Sequence, residues 1–161
     1  MKFPKLPPGD LSRRNRALIA MLPWKIVRLR DLELHEKKAL IAHGIWPRPL
    51  RKEAEEDPER FCNRVFGRRK VWGKVFIPIE LMKLQVMNDP DRRNDFNVFE
   101  EYHAYYKRVE KVPKHPKTRR WPIFPSGRNR ERETILDGWH RFHSYVDSGA
   151  QEIPILWYAD E

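Results

Sequence analysis

The chain has 161 residues, enough for one domain with a real core plus an extension, and 33 lysines and arginines against 23 acidic residues give a net charge of +10. A surface this basic favours nucleic acid or an anionic membrane as partner, while the absence of a long apolar stretch or a signal-peptide pattern predicts a soluble, cytoplasmic protein with no membrane span. The single cysteine, Cys62, excludes an intramolecular disulfide and any multi-cysteine metal site.

Lys2 to Gly9 is rich in proline and reads as an extended arm. Ser12 to Leu22 reads as a short helix carrying Arg13, Arg14 and Arg16, and Trp24 to Leu29 alternates as a strand does. Glu33 to His43 is helical and stops at Gly44; Asp57 to Phe66 is another helix, with Pro58 fitting its first turn. Trp24, Ile45, Trp46, Phe61 and Phe66 need burial, so residues 1–73 are expected to be an extension packed on a core domain of residues 74–161.

In that second part, Lys74 to Glu80 reads as a strand leading into Leu81, Met82, Lys83 and Leu84. Asn94 and Asp95 are N-cap candidates for a helix with Phe96, Phe99, Tyr102, Tyr106 and Val109 at helical spacing. Asp89, between Asn88 and Pro90, reads as a turn former. Trp121 to Phe124 is a strand, Ser126, Gly127 and Arg128 a turn, and Thr134 to Leu136 a second strand. Asp137 and Gly138 then turn the chain into a helix from Trp139, with Phe142, Tyr145 and Val146 on its apolar spacing and Gly149 at its stop; Ile153 to Tyr158 is the last strand.

The segment Asp137-Gly138-Trp139-His140-Arg141 carries the chemistry. A strand that passes through glycine into a helix leaves several backbone N–H groups unpaired at the positive end of the helix dipole, where phosphate oxygens bind well. Gly138 lets the backbone come close to a ligand, and His140 and Arg141 place a donor and a fixed positive charge on the first turn. The plainer alternative is a surface turn whose polar residues happen to be His and Arg.

The hairpin–helix–strand order around this Asp-Gly-X-His-Arg turn resembles the core of the ParB/sulfiredoxin superfamily, most of all its ParB-like nuclease and kinase branches. The resemblance spans about residues 74 to 158, with the turn as its one sharp motif. It implies an α/β fold, a mixed sheet with flanking helices, in which Gly138, Trp139, His140 and Arg141 hold a nucleotide: ATP or another nucleoside triphosphate, brought with Mg²⁺. Trp139 is open to two readings, packing into the core or stacking on a base. Sulfiredoxins place their reacting cysteine where Trp139 stands here, so sulfinic-acid reduction is not expected. No DNA-reading motif is recognised, so sequence-specific partition is not expected either.

In the free-serine-kinase branch a catalytic acid sits where Glu80 stands, and Asp137 adjoins the turn, so Glu80, Asp137, His140 and Arg141 are the candidate catalytic residues. An ordinary surface carboxylate is the other reading of Glu80. His140 and His143, three apart with Asp137 nearby, make a weak metal pattern; no protein-held metal is expected. Basic clusters offer a DNA surface: Arg68, Arg69 and Lys70 beside Arg64 and Lys74; Arg119 and Arg120 at the end of the run from Lys107; and Arg128 and Arg130 beside Arg132. A solvated surface is the simpler reading of any one cluster; together with the net charge they point to DNA. Trp72, Trp121 and Tyr105 lie among these charges and are available to stack on bases. A compact, basic protein of this kind resembles the plasmid fertility-inhibition factors, which implies ATPase and DNase activity and a protein partner in the conjugation machinery. The alternatives are a non-catalytic inhibitor that binds nucleotide or DNA, and a small-molecule kinase on the same fold.

Overall fold

Pro, Gly and β-branched residues divide the chain into short elements, and the structure, a computed structural model, describes residues 18–19, 21–44, 46–66, 70–112, 120–125 and 135–160, with the backbone alone at 70–72, 90–91, 136 and 157–160. Strand β1 is Lys25–Arg28, followed by a 3₁₀ turn at Leu29–Asp31. Helices α1 (Leu34–His43), α2 (Arg48–Glu56) and α3 (Pro58–Phe66) come next. Strand β2 is Lys70–Pro78, and helices α4 (Ile79–Met87), α5 (Pro90–Asp95) and α6 (Phe99–Glu110) follow it. Strands β3 (Phe124–Pro125) and β4 (Ile135–Asp137), helix α7 (Trp139–Asp147) and strand β5 (Glu152–Asp160) complete the described residues. They form a mixed α/β protein.

Strand β2 is the centre of an antiparallel sheet ordered β1-β2-β5, with Lys25 opposite Lys74 on one side and Pro78 opposite Glu152 on the other. Beyond β5, Ile123 adds a parallel bridge: its N–H donates to the Pro154 carbonyl at 2.9 Å, and its carbonyl accepts from the Leu156 N–H at 3.0 Å. The antiparallel pair β3–β4 continues from there and delivers the chain to α7.

The pleat sorts β5 between two apolar clusters. Ile153 and Ile155 join Val75, Ile77, Met82, Phe99, Tyr102 and Phe142 in one, while Leu156 joins Leu29, Leu40, Cys62 and Phe124 in the other. Each fully buried aliphatic or aromatic side chain contributes roughly 1.5–3 kcal/mol. Cys62 is fully buried, and desolvation pushes its thiol up to about 11. One ion pair ties the extension to the sheet, Lys74 Nζ to Glu36 Oε1 at 3.2 Å, and another joins α1 to α3 within the extension, the buried Lys37 to Glu59 at 3.2 Å. Strand β2 crosses residue 73 without a break and pairs with β1, so the extension supplies a strand of the same sheet.

Several expectations change. The strand expected to reach Glu80 stops at Pro78, and Glu80 lies in the first turn of α4. Asn94 and Asp95 are not N-caps; they end α5, which starts at Pro90 because proline fits a helix's first turn. Helix α6 begins at Phe99 after Val98, leaving Phe96 between the two helices. The expected strand from Trp121 reduces to the Ile123 bridge and β3. Helix α2 was not foreseen: Ala54 is its one buried residue, so it shows no apolar stripe. The proline-rich arm, most of the Ser12–Leu22 helix, Ile45, the turn from Ser126 and Thr134 lie outside the described residues.

Candidate functional site

Strand β4 and helix α7 meet at Gly138, whose φ of 108° is open to glycine and strained for any other residue. A Cβ there would also lie 3.1 Å from Nε and Nη2 of Arg141 and 3.3 Å from Ile123. The Phe142 N–H makes the first helical bond, 2.8 Å to the Gly138 carbonyl. No side chain caps α7, so the N–H groups of Trp139, His140 and Arg141 have no acceptor within the helix. They converge where the dipole is positive.

Arg141 folds back over this turn. The residue is 8% exposed, its guanidinium lies 5.8 Å from the Trp121 ring and 5.9 Å from that of Phe124, and Nη2 donates to Asp137 Oδ2 at 3.3 Å. Its Nε is buried with no hydrogen-bond partner. Desolvation lowers the Arg141 pKa and the Asp137 charge opposes that shift. An arginine keeps its proton regardless, so a fixed cation with an unused donor stands at an uncapped helix start.

The third member, His43, comes from the last turn of α1. Its Nδ1 lies 3.1 Å from Asp137 Oδ2, and its ring stacks on Phe124 at 4.9 Å. The His43 bond, the Arg141 charge and the Gly138 amide hold the Asp137 pKa below the usual carboxylate range against partial burial. A carboxylate only accepts, so His43 Nδ1 carries the proton and donates. Sequence reading missed His43, which meets Asp137 across 94 positions. Its place just before the helix-stopping Gly44 was legible; its partner was not.

The other expected residues scatter. His140 is exposed, with its ring edge-on to Tyr106 at 5.7 Å. Trp139 packs against the apolar cluster of α7, with the Arg92 guanidinium 4.2 Å from its ring centroid. Glu80 is exposed, pairs with Lys83 at 3.1 Å, and lies at the other end of α7, because the neighbouring Ile79 N–H donates to Gln151 just past that helix. Nine helical residues separate the two ends by roughly 12 Å at 1.5 Å each, so Glu80 does not join the turn. Arg120 is exposed beside Trp121; Lys70 is described by its backbone alone, and Arg68, Arg69, Arg119, Arg128 and Arg130 lie outside the described residues.

His143 turns away from His140 and Asp137 into a separate network. His103 Nε2 lies 2.8 Å from Asp147 Oδ1, His103 Nδ1 lies 2.7 Å from His143 Nδ1, and His143 Nε2 lies 3.3 Å from the Tyr102 hydroxyl. Lys107 also reaches Asp147, at 3.0 Å, and Tyr106 stacks on His143 at 3.8 Å. With both rings neutral one proton order closes this chain: Tyr102 donates to His143, His143 to His103, and His103 to Asp147. Among the described residues no group of three or more His, Cys, Asp or Glu is placed to hold a metal ion. None of the described helices is long and apolar enough to cross a membrane.

No protein-family model, no curated protein and no solved structure matches the chain.

Proposed function

We propose that the β4–α7 turn takes the phosphates of a nucleotide, on a ParB/sulfiredoxin-like domain that acts on nucleotides and DNA. The observation that carries this is the buried guanidinium of Arg141, its Nε without a hydrogen-bond partner, at a helix start that no side chain caps. The phosphate oxygens take the N–H groups of Trp139, His140 and Arg141, and Arg141 supplies charge to the bound anion. The element order β3, β4, α7, β5 and the residues Gly138, His140 and Arg141 support the family reading. The net charge of +10 supports a DNA partner.

For hydrolysis, Asp137 is the acid at the turn; Glu80, an α7 length away, is withdrawn from that role. One carboxylate suits Mg²⁺ brought by the phosphates, since Mg²⁺ is commonly held by one or two carboxylates with substrate oxygens and water. Mg²⁺ would neutralise phosphate charge there. A second reading, binding without turnover, is favoured by one observation: Asp137 is already engaged by both His43 and Arg141.

Phosphate release from ATP with Mg²⁺, with and without single- and double-stranded DNA and with DNA integrity followed in the same tubes, separates the two. Turnover or cleavage that Arg141→Ala abolishes establishes the hydrolase. ATP bound without turnover, and bound at least tenfold more weakly by Arg141→Ala, establishes the binding protein. Equal ATP affinity in a folded Arg141→Ala protein would sink the site itself.

A further inference from the structure

Helices α1 and α2 and the Trp121 segment line an open cleft of about 580 Å³, inside the ~300–1,000 Å³ range of small-molecule sites. Two indoles line it, Trp46 and Trp121, with Ile41, the cations Lys38 and Arg51, and the carboxylate of Glu55. The walls are preformed. Trp46 donates from Nε1 to the Ile41 carbonyl at 2.8 Å, meets Phe61 edge-on at 5.1 Å, and lies so close to Gly44 that a Cβ there would be 2.6 Å from its ring. The carbonyl of Trp121 accepts from the Tyr145 hydroxyl at 2.9 Å.

The cavity adjoins the phosphate turn at two points. His43, which bonds Asp137, stands between Ala42 and Gly44, both in the cavity wall. Trp121 belongs to the cavity and lies 5.8 Å from the Arg141 guanidinium. We infer that this cavity is the base subsite of the nucleotide whose phosphates bind the β4–α7 turn, an inference that rests on that phosphate reading. The indoles offer aromatic faces and edges to a planar heterocycle, as aromatic side chains do for nucleic-acid bases. Glu55 accepts only, so it favours the two-donor exocyclic amino group of adenine, cytosine or guanine over uracil, whose single N3–H is flanked by two carbonyl oxygens that repel a carboxylate. Lys38 and Arg51 match the anionic character of the whole ligand. Packing alone explains why Trp46 is half-buried; it does not explain cations and an acid gathered round an apolar opening beside an arginine whose Nε has no partner.

Calorimetric titration of the full chain with adenosine, tripolyphosphate, ATP and UTP tests this, in the wild type and in Glu55→Gln and Arg141→Met. The expected result is ATP bound at least tenfold more tightly than tripolyphosphate and UTP, and adenosine competing with ATP. Glu55→Gln brings ATP and UTP to similar affinity and leaves tripolyphosphate unchanged; Arg141→Met abolishes tripolyphosphate binding and leaves adenosine bound. Equal affinities for ATP and tripolyphosphate, with no adenosine binding, overturn the base subsite and leave the phosphate site standing. Adenosine bound in a Glu55-dependent way, with tripolyphosphate unbound, overturns the phosphate reading and keeps the cavity as a nucleoside site. A Glu55→Gln protein that retains the full ATP preference overturns the role of Glu55 and with it the placement of the base.

Discussion

Two polar clusters on α7 are built from the same kinds of residue, yet only one of them closes. At the helix start, Asp137, His43 and Arg141 leave the Nε of Arg141 without a partner and the first N–H groups of the helix uncapped. Further along, Asp147, His103, His143, Lys107 and Tyr102 form a continuous chain in which both nitrogens of each imidazole are engaged. Buried polar groups are nearly always satisfied, so the closed cluster reads as architecture and the open one as a place for a ligand. Residue type did not separate them. Completeness of the bonding did.

Acid should break the closed cluster first. Burial above all, with the electrostatic influence of the neighbouring His103 and Arg92, pulls the His143 pKa down to about 3 from 6.5, against the pull of Asp147. Between those two values the unfolded chain binds the additional proton, so stability is lost as pH falls from 6.5 towards 3. The slope attributable to this residue is up to about 1.4 kcal/mol per pH unit. Urea unfolding between about pH 6.5 and 5.5, above the range where most carboxylates titrate, reads it. His143→Phe, which keeps an aromatic ring against Tyr106, should flatten that slope; an unchanged slope would remove the cluster's claim to a structural role.

Changes at the open cluster should fall more on binding than on stability. Gly138→Ala forces a left-handed backbone on a residue with a Cβ, at a cost of about 1–3 kcal/mol, and crowds the Arg141 guanidinium. Lower urea midpoint and weaker tripolyphosphate binding are expected together, and full stability would show that the turn relaxes without strain. Arg141→Met is the smallest in stability, within about 1 kcal/mol of the wild type, since the partly exposed Asp137 keeps its bond to His43 and the apolar side chain brings no buried unsatisfied donor. Its loss of tripolyphosphate binding should nonetheless be complete. A variant that unfolds would place Arg141 among the structural residues instead.

What was legible in the sequence followed local rules. Gly138 and the spacing of Phe142, Tyr145 and Val146 located α7, Gly44 located the end of α1, and Pro58 the start of α3. Local rules also misled. Asn94 and Asp95 look like caps, but Pro90 after Asp89 nucleates a helix earlier, and the Asp89 carboxylate pairs with Arg92 at 2.6 Å. Glu80 was a candidate because it matches the place of a catalytic acid in the free-serine-kinase branch, at the end of the expected entry strand; here the strand ends at Pro78 and Glu80 lies in a helix, facing solvent. His43 and His103 were invisible because each acquires its partners from 40 or more positions away. Long-range pairing of polar residues leaves no periodic trace.

The lone thiol gives the second apolar cluster a clock. Cys62 is fully buried among Leu29, Leu40, Phe124 and Leu156, and its raised pKa leaves little thiolate at neutral pH. An alkylating reagent therefore reaches it only when that cluster opens, and with no second cysteine in the chain every adduct reports the same event. Because α1 carries residues of both that cluster and the cavity wall, a ligand seated beside Trp46 would slow the labelling of a sulfur it never touches.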